Sequence, residues 1–517
     1  MISSEAPGSG RCWEPRLAPR AQYRIEAVAD PLRHHIKGRQ TVAFRNNSAA
    51  PARLFCFDWV RSANSSLVLE SPNGRLRDDL PGNRLALELE EPVGREELVT
   101  LSMRFDGEMK ERDWHPRLWW GQEALAFDDY SVRVDVPSHY SVATSGRWNL
   151  VEEAYEATGV PCFGLLLSEQ LDVVETEIQG VLIQAAFKKN GEACARHCLQ
   201  AAADAIEYYI DWVGFYPSTS LWIAPGIDQP WGGGPFAPGI VLLYGMETFA
   251  DSPADYWTYL TAHEIGHQYW GEYILTNYMP WPDTAFFREF VRTMNNAGFE
   301  SGRGLLEWLH LGMSIYMDRR FARSRGLKVG SPRQRMAHYL QGIAEGIDTT
   351  LEGRPYRKDI DYNNIIAHSK GFSAISAFAQ VIGHDAFERV LVRCLRKYGG
   401  RRVTLEILQQ VCEEEAGLDL GWLFDSWVTT NEILDYQVVS SSSRHVNGEW
   451  LTAITVARIG SMRMPVPVRV AFEDGTTQTQ LTDRNLDRTL LEFRSAAPVA
   501  RVELDPHEEL AMLDSCL

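Results

Sequence analysis

The chain has 517 residues, of which 45% are hydrophobic and 11% aromatic, and its formal net charge is −18 at pH 7. This length predicts two to four domains, and the composition is that of a well-packed globular protein. The acidic excess argues against a nucleic-acid backbone as partner, and the sequence has no run of about 18 apolar residues that could span a membrane.

The first twenty residues and the cysteines bear on the cellular compartment. Residues 1–20 are polar and lack the apolar core of a secretory signal. Eight cysteines are an ordinary number for this length. We therefore expect a cytoplasmic protein with reduced thiols. Cys194 and Cys198 lie one helical turn apart with His197 between them, which is compatible with a metal site or with half-buried helix cysteines.

The N-terminal third alternates apolar and polar residues in short runs, separated by turns rich in glycine, asparagine and proline. About ten short strands and no convincing helix predict an all-β domain over residues 1–190. The clearest strand runs are residues 23–28, 40–44, 84–89, 97–105, 130–136 and 181–187.

The pattern becomes helical from residue 191. Residues 192–213 are predicted to form a helix that ends at the Gly-Phe-Tyr-Pro turn of 214–217, and short buried strands are predicted at 221–224 and 239–244. These elements predict a mainly helical domain over residues 191–432. Its later helices are predicted at 284–299, 304–324, 334–345, 363–382, 384–397, 404–416 and 420–428.

Strand patterns return in residues 433–517. Six or seven strands in so short a segment predict a C-terminal β-sandwich domain. The predicted strands are residues 436–440, 450–457, 466–472, 476–481, 489–493 and 500–504.

The central motif is His-Glu-Ile-Gly-His at residues 263–267, in a segment that no proline interrupts. On a helix, His263 and His267 lie on one face, so both imidazoles can reach one metal ion. Glu264 lies about 100° round from His263, close enough to act on a water activated by that metal without being a ligand. This is the zincin arrangement, although the pentapeptide also occurs by chance in ordinary helices.

The order of an all-β domain, a helical His-Glu-x-x-His domain and a β-sandwich resembles the gluzincin zinc aminopeptidases, the aminopeptidase N family. The resemblance covers nearly the whole chain. Besides the motif with its following Gln-Tyr-Trp-Gly, it includes the turn at 214–217, Phe-Asp-Ser-Trp at 424–427, opening strands at 23–30 with Gly38 and Asn46, and the sandwich entry at 434–436.

The resemblance implies a multidomain α+β fold and one zinc ion per chain, bound by His263 and His267. Its three domains would be an N-terminal all-β saddle, a mainly helical thermolysin-like catalytic domain and the β-sandwich. The large helical C-terminal domain of many family members is not expected, because the chain ends at Leu517.

The resemblance also implies a third zinc ligand, a glutamate nineteen residues after the second histidine. That spacing falls on Phe286, and the nearest candidate is Glu289, three residues later. An insertion in the preceding loop would absorb the difference. Glu272 is excluded because a continuous helix would point it away from the metal. Glu289 is either the third ligand or an ordinary surface or salt-bridged carboxylate.

Family members bind the free amine of the substrate through the glutamate of a Gly-Ala-Met-Glu-Asn segment. The similar stretch here is residues 233–239, with Phe236 in place of the glutamate. A phenyl ring offers an ammonium only a weak cation–π contact, which predicts an atypical member. Gly233 and Gly234 still allow a substrate backbone to lie close as an edge-strand partner, and they fit equally a turn that leads into a strand.

The family stabilises the oxyanion with the tyrosine of a Tyr-Glu-Lys-Gly segment. The similar segment here is His-Ser-Lys-Gly at residues 368–371. His368 can take this role by donating a hydrogen bond to the oxyanion, and it fits equally a packed histidine at a helix start. Tyr362 is a second candidate for the role.

Three functions follow as hypotheses. The first is a zinc metallohydrolase that cleaves a peptide or small amide, with Glu264 as general base. Aminopeptidase activity is the family default, and the missing amine anchor favours an atypical member that acts on a blocked or modified amino-acid derivative. The second is a tailoring enzyme that uses zinc as a Lewis acid on a small metabolite. The third is an inactive aminopeptidase-like scaffold that binds proteins. The sequence gives no oligomeric state.

Overall fold

The computed structural model describes residues 20–513 apart from 60–63, 78–83, 110–113, 119–126, 228, 276–306, 330 and 352–362. It shows a mixed α/β protein with a β-rich N-terminal region and further sheets near the C-terminus. Contacts divide the chain into two compact units, Met1–Leu275 with Tyr398–Arg402 and Thr276–Lys397 with Val403–Leu517.

The first unit begins with two sheets around one hydrophobic core. A seven-stranded sheet has the order β11-β12-β9-β1-β2-β7-β4, and a four-stranded sheet has the order β5-β6-β3-β8. Burial alternates along β1, because successive side chains of a strand point to opposite faces. The strands are β1 (Gln22–Asp30), β2 (His35–Arg45), β3 (Ala52–Asp58), β4 (Ser66–Ser71), β5 (Gly74–Arg77), β6 (Arg84–Val93), β7 (Leu98–Glu108), β8 (Arg117–Leu118), β9 (Asp128–Asp135), β10 (Tyr140–Thr144), β11 (Arg147–Asn149), β12 (Ala154–Val160) and β13 (Leu165–Glu169).

A five-stranded sheet follows, in the order β14-β15-β16-β18-β17. Helix α1 connects the parallel strands β15 and β16, as in a βαβ crossover. This sheet therefore joins strands from both sides of residue 190. Its elements are β14 (Asp172–Ile178), β15 (Val181–Phe187), α1 (Glu192–Val213), β16 (Ser220–Gly226), β17 (Gly232–Ala237) and β18 (Ile240–Tyr244), followed by α2 (Ala254–Tyr269) and the short pair β19 (Ile274–Leu275) and β20 (Arg401–Arg402).

The second unit has helices followed by two three-stranded sheets, in the orders β21-β22-β25 and β24-β23-β26. Its helices are α3 (Glu307–Arg325), α4 (Pro332–Ala344), a π-helix (Asn363–Lys370), α5 (Gly371–Ile382), α6 (His384–Tyr398), α7 (Leu405–Ala416), α8 (Gly421–Phe424) and a second π-helix (Asp425–Thr429). Its strands are β21 (Tyr436–Val446), β22 (Glu449–Arg458), β23 (Pro467–Phe472), β24 (Thr477–Leu481), β25 (Arg488–Ser495) and β26 (Val499–Leu504).

Several predicted elements are confirmed. The helix at 192–213 has the predicted ends, and the β-rich N-terminal region and the C-terminal strands are present. The helix predicted at 363–382 is present, with a π-helical first part, Asn363–Lys370, and an α-helical second part, Gly371–Ile382. The helix predicted at 284–299 lies outside the described residues. The domain boundaries at 190 and 432 stay predictions.

The expectation that no segment could span a membrane needs correction for one described stretch, Asn364–Ile382, which is long and apolar enough to cross a membrane by length and composition alone. Of its most apolar window, 72% is buried inside the protein. Such burial is typical of a core helix in a soluble protein.

Candidate metal centre

Helix α2 is buried on all sides where it carries the His-Glu-Ile-Gly-His motif. The helix follows Pro253 and ends at Tyr269, because Trp270 has extended backbone angles and Gly271 has a φ of 117°. Residues 261–269 are all buried. Helix α1 and strands β17 and β18 pack against the helix, which explains why it has no solvent-exposed face here.

The imidazoles of His263 and His267 converge on one point. His263 is 5% exposed and His267 is 2% exposed, and the Nε2 atoms of the two rings lie 3.2 Å apart. Two nitrogen ligands of a tetrahedral zinc ion, at Zn–N distances of about 2.0–2.1 Å, are separated by roughly 3.3–3.4 Å. The spacing of the two nitrogens therefore fits two ligands of one zinc ion.

The carboxyl group of Glu264 lies against the backbone of Gly233 in β17. A Cβ atom placed on Gly233 would be 2.6 Å from Glu264 Oε1 and 2.9 Å from its Cγ and Cδ. Glu264 is 2% exposed, so the carboxyl group has little room to move away. Only glycine fits at position 233 with the carboxyl group in this place.

Strand β17 is one of the two edge strands of its sheet among the strands that the structure describes. It pairs with β18, with Gly232 opposite Tyr244 and Gly234 opposite Leu242. Its three glycines are partly exposed, whereas its last three residues are buried. The glycine half can therefore accept an extended backbone by strand addition, beside the carboxyl group of Glu264.

Phe236 is part of the hydrophobic core. It is 4% exposed and packs in a cluster of apolar side chains. The residue that the resemblance places at the amine-binding position is thus held by packing, and β17 contains no charged residue. Its contact with a substrate stays a prediction. The other buried members of the cluster are Ala143, Ala186, Trp222, Ala237 and Ile240.

Gln268 connects helix α2 to the turn between β17 and β18. Its Oε1 accepts a hydrogen bond from the Gly239 amide at 2.6 Å, and its Nε2 lies 3.5 Å from the Ala237 carbonyl. Gln268 is 2% exposed. Because it directly follows His267, this bond fixes the end of the helix that carries the two histidines. Sequence reasoning did not assign it a role, although its position in the motif was a usable signal.

Aromatic side chains of α1 and of α2 itself make the other contacts around the motif. The Tyr269 hydroxyl donates to the Phe215 carbonyl at 2.7 Å, and the Tyr209 hydroxyl donates to the Ala262 carbonyl at 3.2 Å. The Tyr259 ring stacks on His263 with centroids 6.3 Å apart. No sequence pattern indicated the contacts from α1 and the following turn, because these residues lie about fifty positions before the motif.

The predicted third ligand, Glu289, lies outside the described residues, as does Phe286. Within the described part of the chain, no group of three or more His, Cys, Asp and Glu side chains could hold a metal ion. That part includes Glu272, which is 2% exposed. Glu272 was excluded on the assumption that the helix continues past it. That assumption is wrong, because α2 ends at Tyr269. The Glu272 amide instead donates to the His267 carbonyl at 3.2 Å.

His368 lies in the second unit on the π-helix Asn363–Lys370. The two residues that follow it anchor this helix. The Ser369 hydroxyl donates to the Arg335 carbonyl at 3.0 Å, and Lys370 Nζ donates to Asp348 Oδ1 at 2.8 Å. Burial lowers the pKa of Lys370. π-Helices are frequent at functional sites. The role of His368 stays a prediction, and Tyr362 lies outside the described residues.

The cysteines differ from expectation in two respects. Cys194 and Cys198 are fully buried, with Sγ atoms 3.8 Å apart. His197 between them faces α2, where its Nε2 lies 2.8 Å from Thr258 Oγ1. The prediction that all thiols are reduced is wrong for Cys56, which is disulfide-bonded.

Comparison with known proteins gives no family assignment. No model of a known protein family matches the chain, and no curated protein sequence matches it. Function is therefore inferred from the side chains of the site and from the motif resemblance.

Proposed function

We propose that the chain is a zinc-dependent metallohydrolase that cleaves a peptide or small amide, organised as an all-β saddle, a thermolysin-like domain and a β-sandwich. One observation carries this proposal. The Nε2 atoms of His263 and His267 converge at 3.2 Å, and the intervening motif places buried Glu264 beside an accessible edge strand. Imidazole ligands favour zinc over magnesium and calcium, which prefer oxygen.

His263, His267 and Glu289 would hold the zinc ion, with a fourth position open. The donor set of two imidazoles and a carboxylate is one that catalytic zinc sites use. When bound, zinc supplies Lewis acidity that lowers the pKa of the attacking water and polarises the amide carbonyl.

Two side chains and the backbone of β17 have roles in the remaining steps. Glu264 takes the proton of the attacking water and passes it to the leaving nitrogen. The glycine backbone of β17 orients an extended substrate next to that carboxyl group. The motif resemblance assigns the hydrogen bond to the oxyanion to His368. In this assignment Glu264 is the general base and does not bind the metal.

The residues of β17 indicate the charge of the substrate. Phe236 is in the core and β17 carries no charge, so the strand itself offers a protonated α-amine no counter-charge. The carboxyl group beside Gly233 belongs to Glu264, which this proposal assigns to the attacking water. We therefore expect a neutral substrate, such as an amino-acid derivative with a blocked or modified amine.

Paired substrates test this function. Aminoacyl amides and their N-acetyl forms are offered to the zinc-loaded protein, and release of the amine is measured before and after chelation. The proposal predicts zinc-dependent cleavage that survives acetylation. A zinc-loaded protein inert to every amide would overturn the hydrolase assignment, and loss of cleavage on acetylation would restore an ordinary aminopeptidase.

A cytoplasmic location is also part of the proposal. Five cysteines are free among the described residues, which fits a reducing compartment. The disulfide of Cys56 argues against a cytoplasmic location, because disulfides are rare in the cytoplasm. Fractionation of the cells that produce the protein distinguishes a cytoplasmic location from an exported one.

A further inference from the structure

Two large apolar side chains are exposed on one short loop before the edge strand. Ile227 is 79% exposed and Trp231 is 71% exposed. The loop, residues 227–231, connects β16 to β17. The C-terminal end of the loop is held in place, because the Pro230 carbonyl packs against Gly245, whose φ is 72°. Trp231 is therefore presented to solvent from a fixed backbone.

The position of Trp231 places it near the proposed reaction. It lies two residues before Gly233, whose backbone contacts the carboxyl group of Glu264. A strand advances about 3.3 Å per residue, so the two backbone positions are separated by roughly 7 Å at most. One residue of an extended substrate spans about half of that distance. A substrate paired with the glycine edge would thus bring a neighbouring group to the indole ring.

The chemistry of this surface favours an uncharged, bulky group. Single exposed hydrophobic residues are common and need no explanation. Here an indole and an isoleucine are four residues apart on one loop, directly before a strand without charged residues. The charged residue of the loop, Asp228, lies outside the described residues. Burial of an aromatic group against them gains free energy from apolar area, whereas a cation or anion would lose hydration without gaining a partner on β17.

We infer that Trp231, together with Ile227, is a specificity-determining surface that selects substrates with a bulky apolar or aromatic side chain next to the scissile amide. This inference rests on the proposed function for the place where substrate binds. It assigns a contact to the substrate's side chain, in addition to the backbone contact assigned to the glycines.

Binding to an inactive protein tests the inference without turnover. Glu264→Gln protein loaded with zinc is titrated calorimetrically with N-acetyl-phenylalanine amide and N-acetyl-alanine amide. We expect tighter binding of the phenylalanine probe, and adding Trp231→Ala should weaken that probe about tenfold while changing the alanine probe less than about twofold. Ile227→Ala should act in the same direction with a smaller effect.

A second tryptophan provides the matched control. Trp148 on β11 is 46% exposed and packs edge-to-face on Tyr155. Trp148→Ala should leave binding of both probes unchanged. The inference is overturned if neither probe binds, if Trp231→Ala leaves the preference for phenylalanine intact, or if Trp148→Ala abolishes that preference equally.

Turnover by the protein with Glu264 intact separates this inference from the proposed function. Selective binding that depends on Trp231, without cleavage of any amide, would contradict the hydrolase and leave the binding surface standing. Cleavage of amides with equal rates for phenylalanine and alanine, unchanged in Trp231→Ala, would contradict the specificity surface and leave the hydrolase standing.

Discussion

The carboxyl group of Glu264 fills the space that a side chain at Gly233 would need. A Cβ atom there would lie 2.6 Å from Glu264 Oε1. The contact joins helix α2 to the edge strand β17, so the proposed general base and the strand offered to substrate meet at one point. The position of Glu264 therefore depends on the absence of a side chain at residue 233.

Gly233→Ala is expected to displace the carboxyl group of Glu264 while leaving the zinc ligands in place. A displacement of about 1 Å at a reacting group costs roughly 10²-fold in rate, so kcat should fall by about that factor. Zinc content measured on the same sample should not change. Gly234→Ala is the control for folding, since its Cβ would have no heavy atom within 4 Å among the described residues. Full kcat in Gly233→Ala would refute the contact.

Glu264→Gln should separate catalysis from metal binding. Glutamine keeps the shape of the side chain but cannot take a proton from water, and loss of a general base costs about 10²–10⁴-fold in rate. Zinc content should stay at the wild-type value. Loss of zinc from this variant would show that Glu264 is a ligand and would contradict its assignment as base.

Gln268→Leu should destabilise the first unit. The buried Gly239 amide would lose its acceptor, and an unsatisfied buried donor costs about 1–3 kcal/mol. We expect a lower apparent Tm in calorimetry and weaker zinc retention, because Gln268 holds the end of α2 next to His267. Gln200→Leu, an exposed position on α1, is the control and should change neither quantity. Equal stability of the two variants would show that the hydrogen bond contributes nothing.

The pair of His384 and Glu509 should make stability of the second unit depend on pH. His384 Nε2 lies 2.8 Å from Glu509 Oε2, and this hydrogen bond raises the pKa of His384. A raised pKa means that the folded state binds the proton more tightly. The pair therefore contributes fully below about pH 6.5, the unfolded value, and its contribution is lost as pH rises through the folded pKa.

The measurement is the apparent Tm between pH 6 and pH 8.5. Wild type should lose about 1–2 °C more than His384→Gln over this range, a small effect because His384 is partly exposed. Burial raises the pKa of Asp505 to about 6. Ionisation of Asp505 destabilises the folded protein as pH rises towards that value, so this effect lies mainly below the measured pH range. Parallel pH profiles for the two proteins would contradict the prediction.

The sequence predicted the parts of the site that lie on one helix. His263, Glu264 and His267 are local, so the helical repeat alone predicted that both imidazoles point the same way. The contact of Gly233 with Glu264 joins residues that are far apart in sequence and in different elements. No periodicity encodes such a contact, because it depends on how the sheet packs against the helix.

Two fold features show the same limit. The strand β15 was predicted, but its parallel pairing with β16 across helix α1 was not, since pairing partners are not encoded in alternation. The helix over 363–382 was predicted, but the sequence did not indicate that its first part is a π-helix, because apolar spacing separates the two helix types poorly.

Elemental analysis of zinc in the purified protein tests the central claim most directly. Wild type and His445→Ala, an exposed histidine on β21, should each hold one zinc ion per chain, whereas His263→Ala and His267→Ala should hold none and Glu289→Ala should retain less. Zinc retained equally by Glu289→Ala would place the third ligand elsewhere. A carefully prepared wild type without zinc, or zinc that survives loss of His263, would contradict the metal centre and favour the inactive scaffold.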